Sequence, residues 1–343
     1  MKWRIIWIAL ILIGLAGCRS APADRYELRR EALQAMEEGN YEEAVRIYNR
    51  LEEIEPENGE VYNGRGAAYL SARQYVLALA DLEKAIGMDS GNAVYWYNLG
   101  LCRCCLGNYE EGIEAFTRAL ALNPEYAESY CQRGAAYAHL AQYDKAEADV
   151  LKAGEIRPGG SGDFWAALGS AYVSCNDLER AEACYNQAVQ LSPEDARLYL
   201  ERANVYILTG QFEKAHQDCI QALGMQEGFL SGYELLGDLY LAQKQYDQAI
   251  ANYTVALLEE ADYIGYLNRG ICYLETGEYE VAEADFTAAI LLAPQEAAGY
   301  AKRGEVRELL SDEEGAQKDY KTAKRILEDQ LNRKEKGAGD DGK

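Results

Sequence analysis

Basic residues and histidines are scarce in this 343-residue sequence, and both shortages exclude classes of function. Lys and Arg number 34 against 57 Asp and Glu, which gives a formal net charge of −23. Nucleic acids and anionic lipids bind basic surfaces, so neither is expected as the main ligand. The two histidines, His139 and His216, are too few for a His-rich metal site or for His-based catalysis. We therefore predict a protein with no catalytic activity and no cofactor.

The apolar run near the amino terminus is too short to span a bilayer as a helix, which needs roughly 20 residues. It extends from Ile5 to Leu15, follows Lys2 and Arg4, and is succeeded by small residues. This order of charge, apolar run and small residues is typical of a secretory signal peptide. Residues 1–17 are therefore interpreted as a signal segment that is removed.

The end of this segment, Leu15-Ala16-Gly17-Cys18, resembles the bacterial lipobox, which is cleaved directly before its cysteine. The resemblance implies lipid on the sulfur of Cys18, acylation of the new amino terminus, and anchoring in the cell envelope on the extracytoplasmic side. Residues 18–24 would be the lipidated cysteine and a short linker. Cleavage would leave 57 acidic against 32 basic residues, a charge of −25. A plain signal peptide or an uncleaved anchor, with Cys18 incidental, is the alternative.

One pattern of about 34 residues recurs nine times between residues 25 and 330. Each copy is consistent with two short helices; Glu110 to Leu122, for example, has helical apolar spacing and ends before Asn123-Pro124. Rows of small residues recur in phase, as at Ala78 and Ala85. The clearest row consists of glycines, at Gly66, Gly100, Gly134, Gly169, Gly237, Gly270 and Gly304. Such helical pairs become stable by stacking on their neighbours.

These rows resemble the tetratricopeptide repeat. One copy meets the aromatic, Leu-Gly, aromatic, Ala, aromatic, Ala and Pro signature with Trp165, Leu168, Gly169, Tyr172, Ala181, Tyr185, Ala188 and Pro193. The resemblance implies an all-α fold, a right-handed superhelical solenoid of about nine helix-turn-helix repeats whose concave groove binds peptides or extended segments. Most of the 27 tyrosines occupy periodic rows, which favours packing over a stacking platform for bases or sugars.

The inward positions of the implied groove follow from helical spacing. They combine aliphatic side chains with carboxylates, which suits a protein or peptide partner that has basic residues and apolar anchors. Some of these residues could instead lie under a neighbouring helix and belong to the core. The lysine of the family's carboxylate clamp is absent, since Leu200 and Glu234 are among its replacements. The predicted groove residues are Tyr97, Leu200, Asn204, Ile207, Glu234, Asp238, Leu241, Leu267, Ile271 and Leu274.

Eight cysteines besides Cys18 lie mostly at small-residue positions of the repeats, which favours buried free thiols. A sharper alternative brings Cys104 or Cys105 together with Cys131 of the next repeat and with His139. Three thiolates and an imidazole would suit zinc. The protein would then be a thiol- or metal-binding envelope lipoprotein.

The remaining carboxyl-terminal residues, 331–343, are rich in Gly, Lys and Asp and are expected to form a disordered charged tail. The leading functional hypothesis is a lipid-anchored scaffold or adaptor that binds a protein segment in its groove. A further alternative is an accessory subunit of a cell-wall or exopolysaccharide assembly machine, which differs only in the partner.

Overall fold

The computed structural model describes residues 22–225, 230–258 and 261–340. Within these ranges the backbone forms eighteen α-helices and one short 3-10 turn, with no strand. None of the described helices is both long enough and apolar enough to cross a bilayer. The predicted signal segment and Cys18 lie outside the described residues.

The chain divides into two compact units, with the boundary between Asp177 and Leu178. Unit 1 contains nine helices: α1 (Pro22–Glu37), α2 (Tyr41–Ile54), α3 (Gly59–Ser71), α4 (Tyr75–Met88), α5 (Ala93–Cys105), α6 (Tyr109–Leu122), α7 (Ala127–His139), α8 (Tyr143–Ile156) and α9 (Ser161–Ser174). Unit 2 contains α10 (Leu178–Leu191), α11 (Ala196–Leu208), α12 (Phe212–Met225), α13 (Leu230–Ala242), α14 (Tyr246–Leu257), α15 (Tyr263–Thr276), α16 (Tyr279–Leu292), α17 (Ala297–Leu309) and α18 (Glu313–Asp340).

The helices follow one another along the chain as nine consecutive pairs, numbered here as repeats 1 to 9, and eight of these pairs lie wholly within one unit. This order confirms the predicted helix-turn-helix repeat. The turn inside each pair contains one residue in the left-handed region, for example Gly277 at φ 85° and Ala141 at φ 55°. Glycine adopts this conformation without steric cost, whereas alanine does not. Polar N-caps begin several first helices; the side chain of Asn92 accepts a hydrogen bond from the Val94 amide at 3.0 Å.

The glycine row lets the two helices of a repeat approach closely. A Cβ atom placed on Gly100 would lie 2.6 Å from the Phe116 ring, and one on Gly237 would lie 2.5 Å from the Tyr253 ring. Both rings are fully buried. In repeats 3, 7, 8 and 9 the glycine and the aromatic residue sixteen positions later are therefore complementary in shape where the two helices meet.

Packing within each unit is local along the chain. The first helices of successive repeats contact one another directly, as α3 with α5 in unit 1 and α11 with α13 in unit 2. These helices thereby present a continuous face of side chains within each unit.

Two boundaries differ from the predicted ones. Helix α1 begins at Pro22, three residues before the predicted first repeat, because proline fits the first position of a helix. Helix α18 continues to Asp340, so the backbone of residues 331–340 is helical where a disordered tail was expected. The charged residues Arg333 to Lys336 are good helix formers and no proline interrupts them.

Candidate functional site

A cavity of about 680 Å³ lies against helices α11 and α13 of unit 2, the first helices of repeats 6 and 7. Its floor includes two leucines, Leu200 from α11 and Leu235 from α13. The rest of its lining is polar, namely Asp195, Arg197, Glu201, Asn204, Ser231, Glu234 and Asp238. We call this the α11–α13 cavity. Four of the predicted groove residues, Leu200, Asn204, Glu234 and Asp238, are therefore brought together there.

The lining of the α11–α13 cavity carries an excess of negative charge, with four carboxylates and one guanidinium. The guanidinium of Arg197 forms ion pairs with Asp195 and Glu201, each at 3.1 Å. Asp195 also caps α11, since its side chain accepts a hydrogen bond from the Arg197 amide. Asp195 and Glu201 thus pair with the one basic side chain of the lining. Because carboxylates remain in excess, the electrostatic field in the cavity favours a cation.

Asp238 is held in place by two hydrogen bonds to the same carboxylate oxygen. Its Oδ1 accepts from the Tyr253 hydroxyl at 2.6 Å and from Nδ2 of Asn268 at 3.0 Å. Burial raises the pKa of the Asp238 carboxyl, and these two hydrogen bonds oppose that rise. A cation bound beside Asp238 would stabilise its ionised form.

Six predicted groove residues do not line this cavity. Leu274 is buried in a core cluster with Phe286 and Val306, and Leu267 and Ile271 pack against the same cluster. Ile207 and Leu241 are also half-buried against core clusters of unit 2. The interpretation that some of these aliphatic residues belong to the core therefore holds for Leu274. Leu200 belongs both to the core and to the cavity lining, because it is only 7% exposed and yet contacts the cavity.

Tyr97 belongs to unit 1 and is packed among other aromatic rings. Its ring centroid lies 4.9 Å from that of Tyr126 and 5.9 Å from that of Phe116. Burial raises the pKa of its hydroxyl far above the usual value. In this structure Tyr97 makes packing contacts within unit 1, whereas the sequence analysis placed it among the groove residues.

The zinc site considered as an alternative, at Cys104 or Cys105 with Cys131 and His139, is not assembled in the described residues. No group of three or more His, Cys, Asp or Glu side chains in the described ranges is placed to hold a metal ion. Cys104 packs against Gly112, where an added Cβ would lie 2.5 Å from its Sγ. Cys131 is buried elsewhere, and that burial raises the pKa of its thiol to about 12. Cys104 and Cys131 thus pack in different surroundings.

A row of buried ion pairs was not predicted from the sequence. In five repeats an arginine replaces the leucine before the recurring small residue, and it forms two hydrogen bonds with an aspartate sixteen positions later. The same guanidinium reaches the previous repeat, as in Arg269 with the Thr254 hydroxyl at 3.1 Å. The pairs are Arg65–Asp81, Arg133–Asp149, Arg202–Asp218, Arg269–Asp285 and Arg303–Asp319.

The sequence contains a pattern from which these pairs could have been predicted. Repeats with leucine at the arginine position, such as Leu99 and Leu168, have Ala115 and Cys184 where the others have aspartate. The two positions therefore change together from repeat to repeat. This internal covariation distinguishes a packing network from a ligand site.

Comparison with protein families finds tetratricopeptide repeats along most of the chain. The tetratricopeptide repeat matches residues 29–93, 93–126, 115–148 and 234–325, and the TPR repeat matches residues 169–215.

Two plant proteins are similar to this chain at low sequence identity, and both are longer than it. U-box domain-containing protein 70 of Oryza sativa subsp. japonica is 24% identical over 254 residues, which are 68% of this chain and 30% of that protein. Hsp70-Hsp90 organizing protein 3 of Arabidopsis thaliana is 24% identical over 248 residues, 66% of this chain and 42% of that protein. The chain thus spans less than half the length of these two relatives.

Among solved structures, a tetratricopeptide repeat protein from Parabacteroides merdae superimposes with a TM-score of 0.52. It is 21% identical and covers 72% of this chain and 98% of its own. At this level of identity the likeness shows the fold alone.

Proposed function

Since the chain belongs to the tetratricopeptide repeat family, we propose that it is a scaffold that holds an extended segment of a partner protein against the α11–α13 cavity. The scaffold has no catalytic role. A lipid on Cys18 tethers it to the membrane on the extracytoplasmic side of the cell envelope.

The composition of the cavity lining is the observation that carries the proposal. Its two leucines offer contact to an aliphatic side chain, and its four carboxylates, which outnumber the one guanidinium, attract a neighbouring Lys or Arg through their net negative charge. A volume of about 680 Å³ is within the range of small-ligand sites and accommodates one or two such side chains. The occupant is therefore a segment in which a basic residue lies beside an aliphatic one.

The same lining disfavours a partner that presents a free carboxylate. Leu200 and Glu234 occupy the places where a carboxylate clamp needs lysine, and Glu234 adds a negative charge there. A carboxyl-terminal acidic group would be repelled rather than bound.

A peptide array tests the proposal directly. Purified protein is applied to random peptides in low salt, and the bound peptides are expected to be enriched in Lys or Arg next to Leu, Ile or Val. Glu234→Lys inverts one charge in the lining and is expected to weaken their binding on the order of tenfold. Glu213→Lys is the matched control, because it makes the same charge change at an exposed site of α12 outside the lining.

Dependence on salt and on pH provides two further readouts. Binding should weaken with ionic strength because the partly exposed charges are screened. Protonation of Asp238, whose pKa is raised by burial, removes a negative charge, so binding is complete above that pKa and weakens as the pH falls through it. Identical sets of bound peptides for the wild type and Glu234→Lys would eliminate the α11–α13 cavity as the binding site.

A further inference from the structure

An exposed cysteine of unit 1 lies in hydrogen-bond contact with a histidine. Cys175 directly follows α9, and its Sγ lies 3.3 Å from Nδ1 of His139, the last residue of α7. Both Cys105 and Cys175 are exposed, whereas five other thiols of the described residues are buried. Cys175 is thus an accessible thiol with a potential base beside it.

The hydrogen bonds around the imidazole favour one of its two tautomers. The Ser174 hydroxyl donates to the Ala171 carbonyl at 2.7 Å. Its oxygen is therefore left to accept from Nε2 of His139, which lies 3.3 Å away. The neutral ring then carries its proton on Nε2, and the lone pair of Nδ1 faces the Cys175 thiol.

The orientation of the ring is also restrained by stacking. The His139 and Tyr109 rings are nearly parallel, with an interplanar angle of 9° and centroids 4.2 Å apart. A nucleophile, a base and a third group that orients the base are thereby assembled from α6, α7 and the end of α9.

The protonation states agree with this arrangement. Burial lowers the pKa of His139, so the imidazole is neutral at pH 7 and able to accept a proton. Burial raises the pKa of the Cys175 thiol, and the charge of Asp177 raises it further. Tyr109, Cys104 and Cys105 lie nearby, and burial raises the pKa of each. The thiol has two acceptors within reach, Nδ1 of His139 at 3.3 Å and the Ala138 carbonyl at 3.9 Å, and the nearer one is the neutral imidazole.

We propose that Cys175 is a nucleophilic thiol that His139 activates, as a general base, for exchange with low-molecular-weight disulfides. The Cys175 sulfur attacks one sulfur of the disulfide while Nδ1 of His139 takes the thiol proton. A protein–small-molecule disulfide bond forms, the original disulfide bond breaks, and the departing thiolate receives the proton from the imidazolium. One disulfide is consumed and one is formed, so no further oxidant is required.

Cys105 provides an internal reference for the test. It is exposed, like Cys175, and it also lies at the end of a first helix, but the described residues show no imidazole bonded to it. Full-length protein is treated with 2,2′-dithiodipyridine, an uncharged disulfide that the acidic surface does not repel. Labelling of the two cysteine peptides is followed by mass spectrometry over time.

Cys175 is expected to react at least about tenfold faster than Cys105 at pH 7, within the usual contribution of a general base. His139→Gln should remove that advantage and leave the rate of Cys105 unchanged. The rate of Cys175 should level off above the pKa of His139, whereas the rate of Cys105 should rise with pH as its thiolate forms.

Two results would overturn the proposal. One is equal reactivity of Cys175 and Cys105 in the wild type; the other is an undiminished Cys175 rate in folded His139→Gln. If circular dichroism shows that His139→Gln is misfolded, Ser174→Ala replaces it, since this variant removes the group that fixes the tautomer and keeps the Tyr109 stack. An unchanged Cys175 rate in folded Ser174→Ala would then count against the base role.

Discussion

At the scale of single residues, the glycine row sets how closely the paired helices approach, and Gly237 shows this most directly. A Cβ there would lie 2.5 Å from the ring of Tyr253, which is 1% exposed and has no room to move. Gly237→Ala is therefore expected to destabilise unit 2 by about 1–3 kcal/mol, the usual cost of overpacking. Urea denaturation followed by circular dichroism measures the change.

Gly224 provides the matched control in the same unit. It also lies in a helix, α12, but an added Cβ would meet nothing within 4 Å. Gly224→Ala should be neutral or stabilising by roughly 0.5–1 kcal/mol, because alanine is the better helix former. Equal effects of the two substitutions would show that close approach of the helices is not what the glycine row encodes.

At the scale of helices, a buried arginine–aspartate pair occupies in five repeats the two positions that leucine and a small residue occupy in others. Asp285 is 5% exposed and accepts both hydrogen bonds from Arg269 at 2.8 Å. Asp285→Ala leaves the guanidinium buried without its carboxylate and is expected to cost about 3–5 kcal/mol. Adding Arg269→Leu should recover most of that loss, since the double variant reproduces the Leu99 and Ala115 pair of repeat 3.

A double-mutant cycle from urea denaturation midpoints measures this coupling. The expected interaction between the two substitutions is of the order of 2 kcal/mol or more, because each single variant leaves one charge unpaired. Additive effects would mean that the two side chains contribute independently, and the internal covariation of arginine with aspartate would need another cause.

The helix pairs could be predicted from the sequence because small and aromatic residues recur at fixed intervals. Packing between neighbouring helices depends on that spacing along the chain. The cavity could be predicted only in part. Helical spacing identifies Glu234 and Asp238 as facing one way, but whether Leu274 is open or covered depends on Phe286 and Val306 of the following helices. The contact between His139 and Cys175 joins positions 36 residues apart, and no motif marks it. Repeat geometry brings such residues together, and the sequence pattern does not show their side-chain directions.

At the scale of the whole molecule, charge and anchoring act in opposite directions at the membrane. The acidic chain, at −25 after the predicted cleavage, is repelled by anionic headgroups. In the lipid anchor proposed here, acyl chains on Cys18 supply the attachment to the membrane, and two or more chains anchor stably where one is marginal. We expect the protein to stay with membranes in high salt and to partition into detergent. In cells fed an alkyne fatty acid, the protein should carry the label.

Cys18→Ala should abolish the fatty-acid label, and Cys105→Ala, which removes an exposed thiol elsewhere in the chain, should retain it. The label is the decisive readout because an uncleaved apolar segment from Ile5 to Leu15 could by itself hold Cys18→Ala at the membrane. An unlabelled wild-type protein, or one that high salt releases, would contradict the lipid anchor. A scaffold that high salt releases would be free of the membrane. Its acidic field would then act on partners in solution, and the same charges would attract the basic segment proposed for the α11–α13 cavity.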